Sequence, residues 1–170
     1  KGLESIQLGN VKEEQIAVLF CDIRGFTSIS ESQSAEETFK WLNGFFTRMN
    51  ACINANNGFI DKYIGDAIMA IFDRPGHAQD AISAAIAMQQ SVKEFNRNLV
   101  DYNLTKPIKI GIGIDTGIAA IGALGAEGRL DSTAIGDVVN TAARLQELTK
   151  DYGCGIIVSK ATIARLDRPE

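Results

Sequence analysis

The feature that most constrains the fold is an uninterrupted apolar segment near the start of the chain. It runs Ile16-Ala17-Val18-Leu19-Phe20-Cys21 and stops abruptly at Asp22. An apolar run without intervening polar residues is typical of a β-strand that is buried on both faces. We therefore expect a strand in the hydrophobic core of the domain, with a carboxylate at its end.

Helical and strand patterns alternate after this run. Ser34 and Glu37 fit a capping box, and apolar residues at helical spacing then predict a helix to about Asn56. The pattern next predicts a hairpin with strands at 59–64 and 67–72, followed by a helix over about 77–99. The apolar residues expected on the buried sides of the two helices are Phe39, Leu42, Phe45, Phe46, Met49, Ile53, Ala81, Ile82, Ala85, Ile86, Met88 and Val92.

The second half of the chain adds further strands and helices. Alternating isoleucines predict a strand over 108–114, and the segment 117–124 is expected to pair with it across a turn at Asp115-Thr116-Gly117. A helix over about 137–149, a strand over 155–158 and a helix over 159–166 follow. The order predicts an α+β fold with a ferredoxin-like or palm-like β-α-β-β-α-β core and a C-terminal extension. The sheet is expected to be largely antiparallel, with helices packed on one face.

Length and composition exclude several classes of protein. The 170 residues predict one domain, large enough to bury a core without a disulfide or a structural zinc. Acidic residues exceed basic ones by 21 to 17, and the net charge of −4 argues against a sequence-independent nucleic-acid binder. The single histidine, His77, excludes a His-rich zinc site, so carboxylates are the expected carriers of any chemistry. Cys21, Cys52 and Cys154 form no CxxC pattern and are expected to be free thiols in a reducing compartment.

The start of the chain is polar and begins at Lys1 rather than Met. Residues 1–13 are expected to be a linker from an N-terminal region that carries a sensor or regulatory domain, and residues 14–170 the functional domain. No apolar run approaches the roughly 18 residues needed to cross a bilayer. A cytoplasmic location is therefore expected for this domain, and any membrane anchor would lie outside it.

Two aspartates stand where apolar strands end at tight turns. Asp22 follows the first strand, and Asp66 lies in the turn of the predicted hairpin. A carboxylate at the mouth of a buried strand is costly unless it is paired or binds a metal ion. Two of them on adjacent strands could share hard divalent cations, with N–H groups of the glycine turn after Asp22 facing phosphate oxygens. The alternative is that both are ordinary turn residues, since Asp is favoured in turns.

Three further polar residues stand out by position. Strand alternation places Lys62 on the apolar face with Ile60 and Ile64, where a lysine either extends its ammonium to solvent or donates to a specific group. Asn140 and Arg144 are four residues apart and share one face of a predicted helix. An amide and a guanidinium projecting together suit ribose and phosphate recognition. The alternative is an ordinary solvated helix face.

Three segments resemble the motifs of one family, the class III nucleotidyl cyclases. Residues 18–27 (VLFCDIRGFT) are similar to the first metal-site motif of that family, and residues 61–70 (DKYIGDAIMA) to the second. Residues 133–145 (TAIGDVVNTAARL) are similar to its transition-state region. The segments occur in the order and at the spacing of the family, and the resemblance covers about residues 14–166.

The resemblance implies roles for the residues at the first two motifs. Asp22 and Asp66 would bind two Mg²⁺ or Mn²⁺ ions per site, with the carbonyl of Ile23 as a further ligand. The amides around three residues would hold the triphosphate: Gly25, Phe26 and Thr27. Arg129, in the loop before the third motif, would contact the terminal phosphates.

The resemblance also implies which base is read. Lys62 and Thr133 occupy the two base-reading positions, where lysine with aspartate or threonine marks adenylyl cyclases and guanylyl cyclases typically carry glutamate and cysteine. Threonine resembles the subgroup often stimulated by bicarbonate. Asn140 would orient the ribose, and Arg144 would neutralise the α-phosphate in the transition state.

Sites in this family form between the chains of a head-to-tail dimer. One chain would supply Asp22, Asp66 and Arg129, and the other Lys62, Thr133, Asn140 and Arg144. Because all seven are present here, a homodimer is expected to build two complete sites. Family members usually continue into a further β hairpin with a lysine that contacts the triphosphate, whereas this chain stops before that hairpin.

The expected activity is that of an adenylyl cyclase, converting ATP to 3′,5′-cyclic AMP and pyrophosphate. One alternative is a non-catalytic regulatory or dimerisation domain of the same fold, which would not need both aspartates and Arg144. Lys62 argues against a guanylyl cyclase, and the third motif argues against a diguanylate-forming enzyme. A plain α+β binding domain would not need three ordered motifs.

Overall fold

The structure is a computed structural model that describes residues 11–125 and 131–166. In it, the apolar run Ile16–Cys21 lies within a longer strand, β1 (Lys12–Ile23). Alternate side chains of this strand enter two separate hydrophobic clusters. One cluster contains Ala17, Leu19 and Cys21, and the other contains Ile16, Val18 and Phe20. All six side chains are buried. The prediction of a strand buried on both faces is therefore confirmed.

The other predicted elements occur in the predicted order with shifted ends, but the helix at Phe26–Glu31 and the strand at Asp131–Ile135 were not predicted. The helices are α1 (Phe26–Glu31), α2 (Ala35–Ala55), α3 (His77–Phe95), α4 (Asp137–Tyr152) and α5 (Lys160–Ile163), with two short 3₁₀ turns at Asn96–Asn98 and Val100–Tyr102. The further strands are β2 (Gly58–Ile64), β3 (Ala67–Phe72), β4 (Ile110–Leu124), β5 (Asp131–Ile135) and β6 (Ile156–Val158).

The strands form one sheet in the order β2-β3-β1-β4-β5, and β6 pairs with β4 beside this path. The pairs along the path are antiparallel, and only the β4–β6 pair among the described residues is parallel. The predicted α+β fold with a largely antiparallel sheet is confirmed.

One predicted turn is wrong. Asp115, Thr116 and Gly117 lie inside β4, which is a single strand of 15 residues rather than a hairpin. The cause is that β1 begins at Lys12, so that β1 pairs with β4 without interruption as far as Ile121. Asp115 is only 8% exposed, and its Oδ1 accepts a 2.6 Å hydrogen bond from Ser159 Oγ. Its carboxylate is thus satisfied within a strand.

Helices cover both faces of the sheet, whereas the sequence predicted them on one. Side chains of α2 and α3 pack in the cluster around Leu19, and Val138 and Ala142 of α4 pack in the cluster around Val18. The second face of β1 is apolar, and α4 removes it from water. Two residues expected on buried helix sides are exposed: Phe39 by 65% and Ile86 by 59%.

The α2 helix begins at the predicted capping box. Ser34 Oγ accepts a hydrogen bond from the Glu37 N–H at 3.1 Å, and Glu37 Oε1 accepts one from the Ser34 N–H at 3.0 Å. These two bonds satisfy N–H groups that have no partner inside the helix. The capping box therefore fixes where α2 starts and how the chain enters it.

Two glycines let α4 lie against the sheet. A Cβ atom at Gly113 would collide with the backbone of α4 at Gln146 N and Ala142 O. A Cβ atom at Gly111 would collide with Thr149 Oγ1. The missing side chains on β4 therefore set the distance between this helix and the sheet.

The structure also bears on the cysteines and on membrane-spanning helices. The three cysteines are free, as predicted. Within residues 11–125 and 131–166, no helix is both long and apolar enough to cross a bilayer.

Candidate functional site

The fold brings Asp22 and Asp66 to the same end of the sheet. Asp22 is the penultimate residue of β1, and Asp66 lies in the turn that joins β2 to β3. Because β1 pairs with β3, this turn lies beside the end of β1. The main-chain N–H of Ile23 donates a 3.0 Å hydrogen bond to Asp66 Oδ2. This bond fixes one carboxylate against the strand that carries the other.

The Asp22 carboxylate is largely buried and incompletely satisfied. Its side chain is 15% exposed, and Oδ1 lies without a hydrogen-bond partner. Lys150 forms an ion pair with it, and its Nζ is 3.8 Å from Oδ2. Burial raises the pKa of Asp22, the Lys150 ammonium and the Gln146 amide oppose that shift, and Asp66 adds to it. The Gln146 amide faces Asp22 without a well-formed bond, since its Nε2 is also buried without a partner.

These groups suit a hard divalent cation. Asp22, Asp66 and the Ile23 carbonyl supply only oxygen donors, and one oxygen of Asp22 is buried without a partner. Mg²⁺ is commonly held by one or two carboxylates together with substrate phosphates. No cluster of three or more His, Cys, Asp or Glu side chains that could hold a metal occurs in the part of the chain that the structure describes. The chemistry of the donor set therefore fits a cation that completes its coordination with substrate and water.

The turn after Asp22 leads into α1 with its main chain exposed. Gly25 adopts a left-handed conformation (φ 65°) immediately before α1, and no side chain caps this helix. Phe26 anchors the turn, because its ring packs edge-on against Trp41 with centroids 5.9 Å apart. Gly25 and Thr27 on either side are exposed. Of the three residues predicted to hold a triphosphate, Gly25 and Thr27 are thus exposed, and Phe26 is partly buried against the core.

Lys62 and Thr133 are in direct contact. Lys62 Nζ donates a 3.0 Å hydrogen bond to Thr133 Oγ1 and also lies 3.5 Å from Asp61 Oδ2. The Asp61 side chain is only 2% exposed, which places its charge close to the ammonium in a largely dry environment. The alternative in which Lys62 extends freely into solvent is therefore excluded.

The face on which Lys62 lies differs from the prediction. Ile60 pairs with Ala70 and Lys62 pairs with Met69, so that Asp61 is an extra residue in a β-bulge. A bulge shifts the alternation of side chains by one residue. Lys62 consequently shares the sheet face of Met69, opposite to the face of Ile60. The bulge is what aims this lysine at Thr133.

Asn140 and Arg144 lie on the exposed side of α4. Val138 and Ala142 on the same helix are buried against the sheet, whereas both polar residues are exposed. Within the described ranges, no hydrogen bond or ion pair joins either of them to Asp22, Asp66 or Lys62. Arg129, the remaining predicted site residue, lies outside the described residues.

Lys150 and Gln146 were not among the predicted site residues. They lie four residues apart on α4 and both act on Asp22. A glutamine at a buried helix position is an unusual choice, and Gln146 is only 5% exposed. In the sequence, Gln146 falls at helical spacing after Val138 and Ala142, on the buried side of α4. A polar residue at that position is the signal that could have pointed to this end of the helix.

The chain matches proteins of known family. The family model described as "Adenylate and Guanylate cyclase catalytic domain" matches residues 9–170. An adenylate cyclase of Anabaena cylindrica is 44% identical over 173 residues, covering 100% of this chain. This chain spans 34% of the length of that relative.

Solved structures agree with this match. The adenylyl cyclase CyaB of P. aeruginosa has a TM-score of 0.84 and 34% identity, covering 92% of this chain and 82% of its own. The guanylyl cyclase Cya2 has a TM-score of 0.82 and 32% identity, covering 94% of this chain and 80% of its own. The fold is thus common to proteins named for two different bases. On the family match, the sequence identity and the fold together, the chain belongs to the class III nucleotidyl cyclases, the family of adenylate and guanylate cyclase catalytic domains.

Proposed function

We propose that this domain is an adenylyl cyclase that converts ATP to 3′,5′-cyclic AMP and pyrophosphate. The observation that carries the choice of base is the 3.0 Å contact between Lys62 Nζ and Thr133 Oγ1. These two side chains stand at the base-reading positions, and their contact supports a shared role. The Anabaena relative that is named an adenylate cyclase supports the same choice.

The selection of adenine follows from donors and acceptors. The Lys62 ammonium can only donate hydrogen bonds, and adenine N1 is an acceptor. Guanine carries an N–H at that position, so that two donors would face each other in the site. Leaving buried polar groups unpaired discriminates strongly between substrates. Thr133, held against Lys62, adds a hydroxyl that can accept from or donate to the base.

The carboxylates are assigned to metal binding. Asp22, Asp66 and the Ile23 carbonyl would hold two Mg²⁺ or Mn²⁺ ions, in keeping with the unpartnered Asp22 Oδ1. Such ions, when bound, favour ionisation of the 3′-hydroxyl and stabilise the negative charge on the leaving pyrophosphate. The hydrogen bond from Ile23 N–H to Asp66 Oδ2 orients one carboxylate before substrate arrives.

The remaining residues position the nucleotide. The amides of Gly25, Phe26 and Thr27 would bind triphosphate oxygens, with Arg129 at the terminal phosphates. Asn140 would orient the ribose so that its 3′-hydroxyl attacks the α-phosphorus in line with the departing pyrophosphate. Arg144 would neutralise the charge that develops on the α-phosphate. Positioning and charge neutralisation supply most of the rate in such a reaction.

A head-to-tail homodimer would assemble these groups into two sites. Asn140 and Arg144 are exposed and make no contact with the carboxylates of their own chain. A second copy placed head to tail would bring its own Asn140 and Arg144 to them, and the symmetry would create two equivalent sites. Because this chain spans 34% of the Anabaena relative, we also propose that a sensor or regulatory domain lies N-terminal to it in the whole protein.

The direct test is product formation from ATP and from GTP with Mn²⁺ and with Mg²⁺. We expect cyclic AMP from ATP, and a loss of at least about 100-fold in Asp66→Ala because several kcal/mol of charge stabilisation is removed. Asp101→Ala, at an exposed position in a 3₁₀ turn, is the matched control and should keep the wild-type rate. Preference for GTP would identify a guanylyl cyclase. No product with either metal would identify a non-catalytic domain.

A further inference from the structure

Lys150 occupies an unusual position between two carboxylates. Its Nζ is 3.8 Å from Asp22 Oδ2 and 3.2 Å from Glu147 Oε2. The two partners differ in environment: the Asp22 side chain is 15% exposed and the Glu147 side chain is 63% exposed. The ammonium therefore lies between a largely buried acid and a solvated one.

The packing of α4 against β4 holds Lys150 within reach of Asp22. Asp22 of β1 is the register partner of Gly111 of β4. Gly111 has no side chain, and Thr149 fills the space that a Cβ atom would take. Lys150 is the next residue of α4, so the close helix–sheet contact delivers its side chain to the same place. The ion pair thus depends on the fold rather than on a chance conformation of a long side chain.

We propose that Lys150 is a built-in counter-ion that neutralises Asp22 in the metal-free domain and that a divalent cation must displace. This inference rests on the assignment of Asp22 to metal binding under the proposed function. An ammonium 3.8 Å from a ligand oxygen stands where it would repel an incoming divalent cation. Lys150 therefore weakens metal binding and offsets the charge of Asp22, one of the two carboxylates assigned to the metal.

Glu147 is the receiving group for the displaced ammonium. It is one helical turn before Lys150, already within 3.2 Å of it, and exposed enough to keep the pair solvated. Displacement then needs only a rotation of the Lys150 side chain away from Asp22. Glu147 and Lys150 consequently have opposite effects on the metal: the lysine competes with it, and the glutamate relieves that competition.

The experiment measures Mn²⁺ binding to the full 170-residue chain without nucleotide, by the loss of the free Mn²⁺ signal in electron paramagnetic resonance. Lys150→Gln is expected to tighten binding by about three- to tenfold, the change expected for one partly screened unit charge. Lys150→Arg keeps the charge and should restore affinity to within about twofold of wild type. Glu147→Gln should weaken binding, and the double variant should resemble Lys150→Gln alone.

Lys160→Gln is the matched control for a general change in net charge. It removes one exposed lysine from α5 and should leave Mn²⁺ affinity at the wild-type value. Unchanged or weaker binding in Lys150→Gln, in a wild type that binds Mn²⁺, would overturn the counter-ion role alone. A wild type that binds no Mn²⁺ would overturn the metal assignment and this inference with it. Equal tightening in Lys160→Gln would reduce the effect to net charge and also overturn the proposal.

Discussion

Lys62 on β2 and Thr133 on β5 lie on the first and last strands of the main path through the sheet, yet their polar atoms are 3.0 Å apart. Four interstrand spacings of about 4.8 Å would separate these strands by roughly 19 Å in a flat sheet. The sheet must therefore curl so that its two edges approach each other. The contact between Lys62 and Thr133 depends on this curvature and on the bulge at Asp61.

Substituting both Lys62 and Thr133 should change the preferred substrate from ATP toward GTP. In Lys62→Glu/Thr133→Cys, the glutamate accepts from guanine N1–H and no longer donates to adenine N1. We expect the ratio of kcat/KM for ATP to that for GTP to fall by roughly 100-fold or more. Lys106→Glu makes the same charge change at an exposed position and should leave the ratio unaltered. A double variant that keeps its preference for ATP would show that other groups read the base.

Two inactive variants should complement each other if sites are shared between chains. Asp66→Ala removes a group from one half of the site, and Arg144→Ala removes one from the other half. A mixed dimer then contains one site with both defects and one intact site. An equal mixture should regain roughly a quarter of wild-type activity, since half of the dimers are mixed and each has one intact site of two. Steady-state rates of each variant alone and of the mixture measure this, and a mixture as inactive as its components would contradict the shared site.

The contact between α4 and β4 should not tolerate a methyl group at Gly113. Gly113→Ala places a Cβ atom against the α4 backbone, and we expect a loss of about 3 kcal/mol in the free energy of unfolding. For a domain of this size, that corresponds to a fall of roughly 6–12 °C in Tm. Gly117→Ala on the same strand is the control, because its Cβ would lie 3.4 Å from Val138 Cβ, an ordinary contact. Thermal melts followed by circular dichroism compare the two, and equal losses would contradict this account of the close approach.

The capping box should make stability depend on pH through Glu37. Hydrogen bonds from the Ser34 N–H and from Asn103 Nδ2 lower the pKa of Glu37 below its ordinary value of 4.5. A lowered pKa in the folded state means that the stabilisation is present above that ordinary value and is lost as the pH falls through the folded one. Glu37→Gln should therefore lower Tm at pH 7, and the difference from wild type should shrink in acid.

The neighbouring Glu36 provides the matched control for this prediction. Glu36 lies in the same first turn of α2 and is exposed. Glu36→Gln removes the same charge near the helix start without breaking the capping box. A difference between wild type and Glu37→Gln that stays constant from pH 7 to pH 3 would exclude the ionised carboxylate as its source.

Local patterns predicted most elements, and non-local pairing explains the errors. Asp115-Thr116-Gly117 has the composition of a turn, but pairing with a β1 strand that begins at Lys12 keeps it extended. Phe39 and Ile86 match the helical period, yet the neighbouring elements leave them exposed. Which apolar residue at the edge of a helical stripe is covered depends on the packed neighbours, and no window of sequence contains that information.

In the candidate site, too, local sequence predicted some features and non-local packing determined the others. The hairpin turn that carries Asp66 was predictable from local sequence, but its approach to the end of β1 depends on the pairing of β3 with β1, so that the sequence alone left the turn-residue alternative open. The direction of Lys62 required knowledge of a one-residue bulge. The contact of Lys150 with Asp22 required knowledge of how closely α4 lies on Gly111. Such contacts depend on how closely segments that are far apart in the sequence pack against each other.

The placement of α4 has a consequence for communication within the proposed dimer. In that dimer the helix would carry Asn140 and Arg144 toward one site, whereas Lys150 near its other end contacts Asp22, which would belong to the other site. Arg144 and Lys150 are about 9 Å apart along the helix axis. Because Gly111 and Gly113 let this one helix lie directly against the sheet, the groups proposed for the two sites share a single packed element. A substitution that displaces α4 from the sheet would therefore be expected to disturb both sites of the proposed dimer.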